Sequence, residues 1–187
     1  MRMFVGIDLP EDVRDGICKS RLRAIPKRPV TDRWLVPPEN IHLTVKFLGE
    51  VPEPDVPELC TRLKECTGAM PLKLAAQGIE CLPDRGPIRI IAAGVTGEFD
   101  RLHGLHQAID SACESAGFPR ERRPFKPHVT FARLRPPRPT KERTRIESTP
   151  LHAKATRVFE VTNFVLFQSH LEPEGARYVP LARFPVA

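Results

Sequence analysis

The sequence predicts an α+β fold: two antiparallel β-sheets with outer helices, arranged as two lobes about a central cleft. Three observations point there. Strands and helices alternate, yet a tight hairpin and a closing run of strands suit antiparallel pairing better than a doubly wound parallel sheet. Two strings, His42-Leu43-Thr44-Val45 and His128-Val129-Thr130-Phe131, repeat histidine, apolar, threonine, apolar. Each follows a strand, a helix and a proline-bearing turn, and 86 positions separate them, which suggests similar halves related by a pseudo-two-fold. A chain of 187 residues suffices for one bilobal domain spanning 1–187.

The elements follow in order. Phe4 to Leu9 reads as a strand, and Pro10-Glu11-Asp12-Val13 opens a helix with proline early and acids in the first turn. Val13, Ile17, Leu22 and Ile25 give that helix an apolar side, and Pro26 and Pro29 end it. A short extended piece at Trp34 to Val36 and a turn at Pro37-Pro38-Glu39-Asn40 lead into the first motif strand, Ile41 to Leu48. Val56 to Cys66 is a second helix. Leu72 to Leu82 and Ile88 to Val95 form a hairpin through Pro83-Asp84-Arg85-Gly86-Pro87. Phe99 to Ala116 is the clearest helix, its apolar residues spaced three and four apart. A basic loop, Arg120 to Lys126, precedes the second motif strand, Pro127 to Leu134. Arg135 to Pro139 is a stiff connector, Lys141 to Glu147 a short helix, and strands near 157–167 and 178–184 close the chain.

Apolar content of 41% with 28% charged residues is ordinary for a soluble globular protein. No apolar run is long enough to cross a membrane as a helix, and the N-terminus reads as a strand instead of a secretory signal, so a cytoplasmic location is expected. Five scattered cysteines without a Cys-x-x-Cys pair argue against a disulfide framework and a structural zinc site. The net charge of +6, mostly arginine, suits a polyanionic partner such as RNA.

Chance predicts only about 0.35 His-x-Thr triplets in this composition; two occur, each with apolar flanks. On a strand, period two places His and Thr on one face and the apolar pair on the other. Two imidazoles on one face form an acid–base set for a phosphodiester: one takes a proton while the other gives one, and no metal is needed. Thr44 and Thr130 sit about 6.6 Å along the strand from their histidines, where a hydroxyl can donate to a non-bridging phosphate oxygen.

The chain resembles the two-histidine phosphoesterases, and within them the bacterial and archaeal RNA 2′,3′-cyclic phosphodiesterases, or 2′-5′ RNA ligase family. The residues that carry the resemblance include the opening Arg2 to Pro10, Arg33 to Glu50, Pro127 to Arg133, Leu166 to Leu171 and Gly175 to Pro185. The resemblance implies a bilobal fold with a central cleft, hydrolysis of a terminal 2′,3′-cyclic phosphate to a 2′-phosphate, and a reversible 2′-5′ ligation of tRNA-half-like RNA. It casts His42 as the proton donor to the departing O3′ and His128 as the acceptor that activates water. It adds Arg133 to Thr44 and Thr130 around the phosphate. A monomer without cofactor is expected.

Strict alternation, however, sends Arg133 to the opposite face from His128, and only a bulge or strand end would return it. The same parity places Lys46 on the His42 face, either to touch RNA phosphate or as a solvated strand end, and sends Phe47 into the core. Trp34 is open between packing and base stacking. Arg120, Arg122, Arg123 and Lys126 are candidates to grip an RNA backbone, with a solvated loop as the alternative. His103 and His106 have a helical metal-binding spacing but no evident third ligand, so no metal is expected. Two other readings stay open: a cyclic phosphodiesterase for a small nucleotide, and an RNA-binding module without catalysis.

Overall fold

A computed structural model describes residues 1–25, 32–66, 71–172 and 175–185. The chain runs β1 (Arg2–Asp8), α1 (Glu11–Ala24), β2 (His42–Glu50), α2 (Val56–Lys64), β3 (Leu72–Leu82), β4 (Ile88–Gly97), α3 (Phe99–Ser115), β5 (His128–Arg138), α4 (Arg143–Glu147), β6 (Phe159–Val161), β7 (Asn163–Glu172) and β8 (Gly175–Pro185). Pro26 and Pro29, expected to end α1, lie outside the described residues.

The helices and the hairpin stand close to where periodicity puts them. In α1, Val13, Ile17 and Ala24 are buried, but Leu22 is exposed. Gly16 lets α1 press against residues 154–155: a Cβ there would lie 2.2 Å from the Ala155 nitrogen.

The expectation of two sheets needs correcting. The described strands form one antiparallel sheet in the order β6-β3-β4-β5-β2-β1-β7-β8. Its centre is thin, because β2 and β5 pair only at Leu43↔Val129, whereas β1–β2 and β4–β5 pair along most of their length. Local patterning shows which stretches are strands, but not that one backbone contact fuses two four-stranded groups. The stiff connector is also absorbed into the sheet: β5 continues to Arg138, which pairs with Ile88.

The sheet's faces differ. Leu43, Val45, Val129 and Phe131 join Ile17, Leu59, Leu63, Leu102, Leu105 and Ile109 of the helices in the main core. The opposite face carries a second cluster of Phe4, Val165 and Phe167 with Tyr178 packed against it. The motif histidines and threonines are on that second face, where His42 stacks on Phe4. No helix among the described residues is long and apolar enough to cross a membrane.

Candidate active site

Both motif strands hold their histidine by the same device. His42 Nδ1 lies 2.7 Å from the Asn40 carbonyl oxygen, and His128 Nδ1 lies 2.7 Å from that of Lys126. A carbonyl can only accept, so each Nδ1 carries the proton and each Nε2 is left to exchange one. The carbonyl bearers are themselves anchored. Buried Asn40 donates its amide to the Ala176 carbonyl on β8. Lys126 reaches Asp84 at 2.7 Å and Glu80 at 3.3 Å.

Each strand then bulges at the third residue after its histidine. On β2, Thr44 and Lys46 oppose the consecutive residues Gly6 and Val5, leaving Val45 as the extra residue. On β5, Thr130 and Ala132 oppose Ala92 and Ile91, leaving Phe131 extra. A bulge reverses the parity of everything beyond it. Arg133 is thereby exposed on the face of His128 and Thr130, and its positive charge is one of the influences lowering the pKa of His42.

The same reversal corrects two expectations on β2. Lys46 turns inward and is 3% exposed, with Nζ 2.5 Å from Asp110 Oδ1 and 2.9 Å from the Pro119 carbonyl; it is not a surface contact for RNA. Phe47, expected in the core, is 61% exposed, and its ring centre lies 6.2 Å from that of Phe4. Phe47 and Arg133 both stand five residues after a motif histidine, so the two bulges turn both onto the site face.

Trp34 is buried, its Nε1 donating to the Arg135 carbonyl at 3.0 Å and the Arg138 guanidinium 5.8 Å above its ring. Packing, not base stacking, uses that ring. Arg123 is exposed on its loop, with its backbone N–H on Glu121. His103 and His106 pack against Phe125, His106 nearly parallel at 4.2 Å. Among the described residues no three side chains gather as metal ligands.

The two histidines sit in contrasting surroundings. His42 stacks on Phe4 at 4.7 Å and meets Tyr178 edge-on at 5.2 Å. Gly6 makes room below it: a Cβ there would lie 3.3 Å from His42 Cδ2. Burial pushes the His42 pKa down to about 4, helped by the charges of Arg133 and His128 and opposed by the Asn40 carbonyl and Asp8. Its Nε2 lies 2.9 Å from the Thr44 hydroxyl, which donates to the neutral ring. His128 is half-exposed and no aromatic contact involves it among the described residues. Glu80, which sequence reasoning missed, lies over Gly94, the residue opposite His128: a Cβ on Gly94 would come within 2.7 Å of Glu80 Oε1.

A family profile described as "LigT like Phosphoesterase" matches the chain in two stretches, residues 7–92 and 94–178. A Thermus thermophilus protein named RNA 2′,3′-cyclic phosphodiesterase is 32% identical over 191 residues, covering 98% of this chain and 89% of that protein. One of the same name from Archaeoglobus fulgidus is 32% identical over 98% of this chain and 99% of its own. Among solved structures, one of a Thermus thermophilus protein superposes with a TM-score of 0.79 at 29% identity, covering 100% of this chain and 98% of that one. E. coli LigT complexed with 3′-AMP superposes with a TM-score of 0.81 at 25% identity, covering 99% and 97%. With both halves matched and full-length relatives at this identity, the chain belongs to the LigT-like phosphoesterase family.

Proposed function

We propose that this protein hydrolyses the 2′,3′-cyclic phosphate end of RNA to a 2′-phosphate without a metal, and that the chain acts as one bilobal domain whose halves are related by a pseudo-two-fold. The observation that carries the reading is the matched pair of imidazoles, each with Nδ1 fixed to a carbonyl and Nε2 left to move a proton. The relatives named RNA 2′,3′-cyclic phosphodiesterase supply the substrate class.

In this reading His128 Nε2 takes a proton from water as its oxygen bonds to phosphorus. The P–O3′ bond breaks, and O3′ receives the proton from His42 Nε2. The Thr44 and Thr130 hydroxyls and the Arg133 guanidinium hold the non-bridging oxygens as their charge grows. Phe47, exposed near Phe4, the ring on which His42 stacks, offers a face for the terminal base. A 5′-hydroxyl in place of water gives a 2′-5′ linkage by the same step, and the histidines exchange roles in reverse.

His42 must be protonated to act as donor, yet burial holds it neutral at pH 7 in the free protein. The bound phosphate anion restores its affinity for a proton. The low value also favours a second reading with the roles exchanged, His42 as base and His128 as acid. A substrate with an activated aryl leaving group needs no acid, so it separates the two: H42A retains activity on it in the first reading, H128A in the second.

The reaction itself is tested by incubating the protein with EDTA and an RNA ending in a 2′,3′-cyclic phosphate, then identifying the product end. A 2′-phosphate supports the proposal. A 3′-phosphate requires different acid–base geometry, and no turnover favours a binding module.

A further inference from the structure

Beyond the bulge at Phe131, β5 presents Arg133 outward, Leu134 inward and Arg135 outward. Both guanidiniums therefore leave the strand on the face of His128 and Thr130. Among the described residues neither guanidinium takes part in a hydrogen bond or ion pair. Other basic side chains near the motif strands are already committed: Lys46 to Asp110, Lys126 to Asp84 and Glu80, Arg138 to Glu142. A free guanidinium binds phosphate without first giving up a protein carboxylate.

The backbone beneath these arginines is fixed from both sides. β4 pairs through Ile90↔Arg133. On the other edge, Val36 N–H donates to the Phe131 carbonyl at 3.0 Å and the buried Trp34 indole donates to the Arg135 carbonyl at 3.0 Å. Two residues of strand advance about 6.6 Å, comparable with the step between successive phosphates of one RNA strand.

We propose that Arg135 binds the phosphodiester one nucleotide upstream of the cyclic phosphate, so that the site selects the end of a polynucleotide over a free cyclic mononucleotide. This rests on the reading of His42, His128 and Arg133 as the reacting phosphate's site, and deepens it by assigning the next phosphate along the chain. The side chain is exposed, so its replacement leaves the core untouched.

The test compares kcat/KM for a 2′,3′-cyclic mononucleotide and for a dinucleotide with the same cyclic end, using wild type, R135Q and R135K. Wild type is expected to prefer the dinucleotide. R135Q should lower that preference about tenfold or more, through KM, and R135K should recover part of it by restoring the charge. With the dinucleotide, the log–log dependence of kcat/KM on salt should flatten by about 0.7 in R135Q, the loss of one phosphate contact on a single strand. An R135Q protein with wild-type preference and salt slope overturns the subsite and leaves the reaction standing. A wild type that turns over neither compound overturns the reaction on which the subsite rests.

Discussion

The two motif strands share a backbone device and differ in what surrounds it. Each histidine gives Nδ1–H to a carbonyl two residues earlier, and each strand bulges three residues later. Past the bulge they diverge. β2 turns Lys46 into the core and Phe47 onto the site face, while β5 turns Ala132 inward and Arg133 outward. His42 is sunk among aromatic rings, whereas His128 is half-exposed and held by the Lys126 carbonyl. One backbone geometry is thus repeated in two environments, and burial lowers the proton affinity of His42.

The comparison breaks most completely if either imidazole is dispensable. H42A and H128A should each lower kcat by about 10²–10⁴-fold with KM little changed, and the double variant should add little because the pair acts as a unit. Steady-state kinetics on a cyclic-phosphate RNA end reads this, and near-wild-type activity in either variant removes that histidine from the mechanism.

Lys46 tests whether the β2 bulge has the stated consequence. Its ion pair with Asp110 is buried, and the Asp110 Oδ1 also accepts from the Glu121 N–H at 3.2 Å, tying β2 to the loop that leads into His128. K46M leaves Asp110 buried without its partner and should cost about 3–5 kcal/mol in urea unfolding. K46M/D110L, apolar on both sides, should recover most of that. A fully stable K46M would mean that Lys46 is not buried as described.

The unequal environments also predict a pH signature in stability. His42 has a folded-state pKa of about 4 against an ordinary value of 6.5. Between those values the unfolded chain binds a proton that the folded chain declines. Stability from this group is therefore intact above about pH 6.5, falls as pH drops toward 4, and is lower by about 3 kcal/mol below that. H42Q should flatten this slope in denaturant titrations across the range; a slope equal to wild type would contradict the burial of His42. The smallest effect is expected at Phe47, where stacking on one base is worth about 1–3 kcal/mol: F47A should raise KM about fivefold or more with kcat preserved.

Much of this was legible in the sequence, for reasons that residues make concrete. The run from Phe99 to Ser115 carries a helical period throughout, and Gly86 and its neighbours mark the turn between β3 and β4. The duplicated His-x-Thr gives the paired imidazoles. The bulges were not legible, because Val45 and Phe131 are ordinary strand residues and the extra position is set by pairing with β1 and β4. Leaving that one-residue shift out misplaces Lys46 and Phe47 and, by strict alternation, Arg133 as well. Glu80 and the seam at Leu43↔Val129 depend on which strands become neighbours, which local patterning does not carry.

The claim beneath all of this is that His42 and His128 address one phosphoryl group. Inorganic phosphate titrated into protein labelled with ¹⁵N-histidine, followed through the ring nitrogens, tests it directly. Both Nε2 signals are expected to move together and saturate with a single Kd. Movement of only one ring, or two unrelated binding curves, would contradict it.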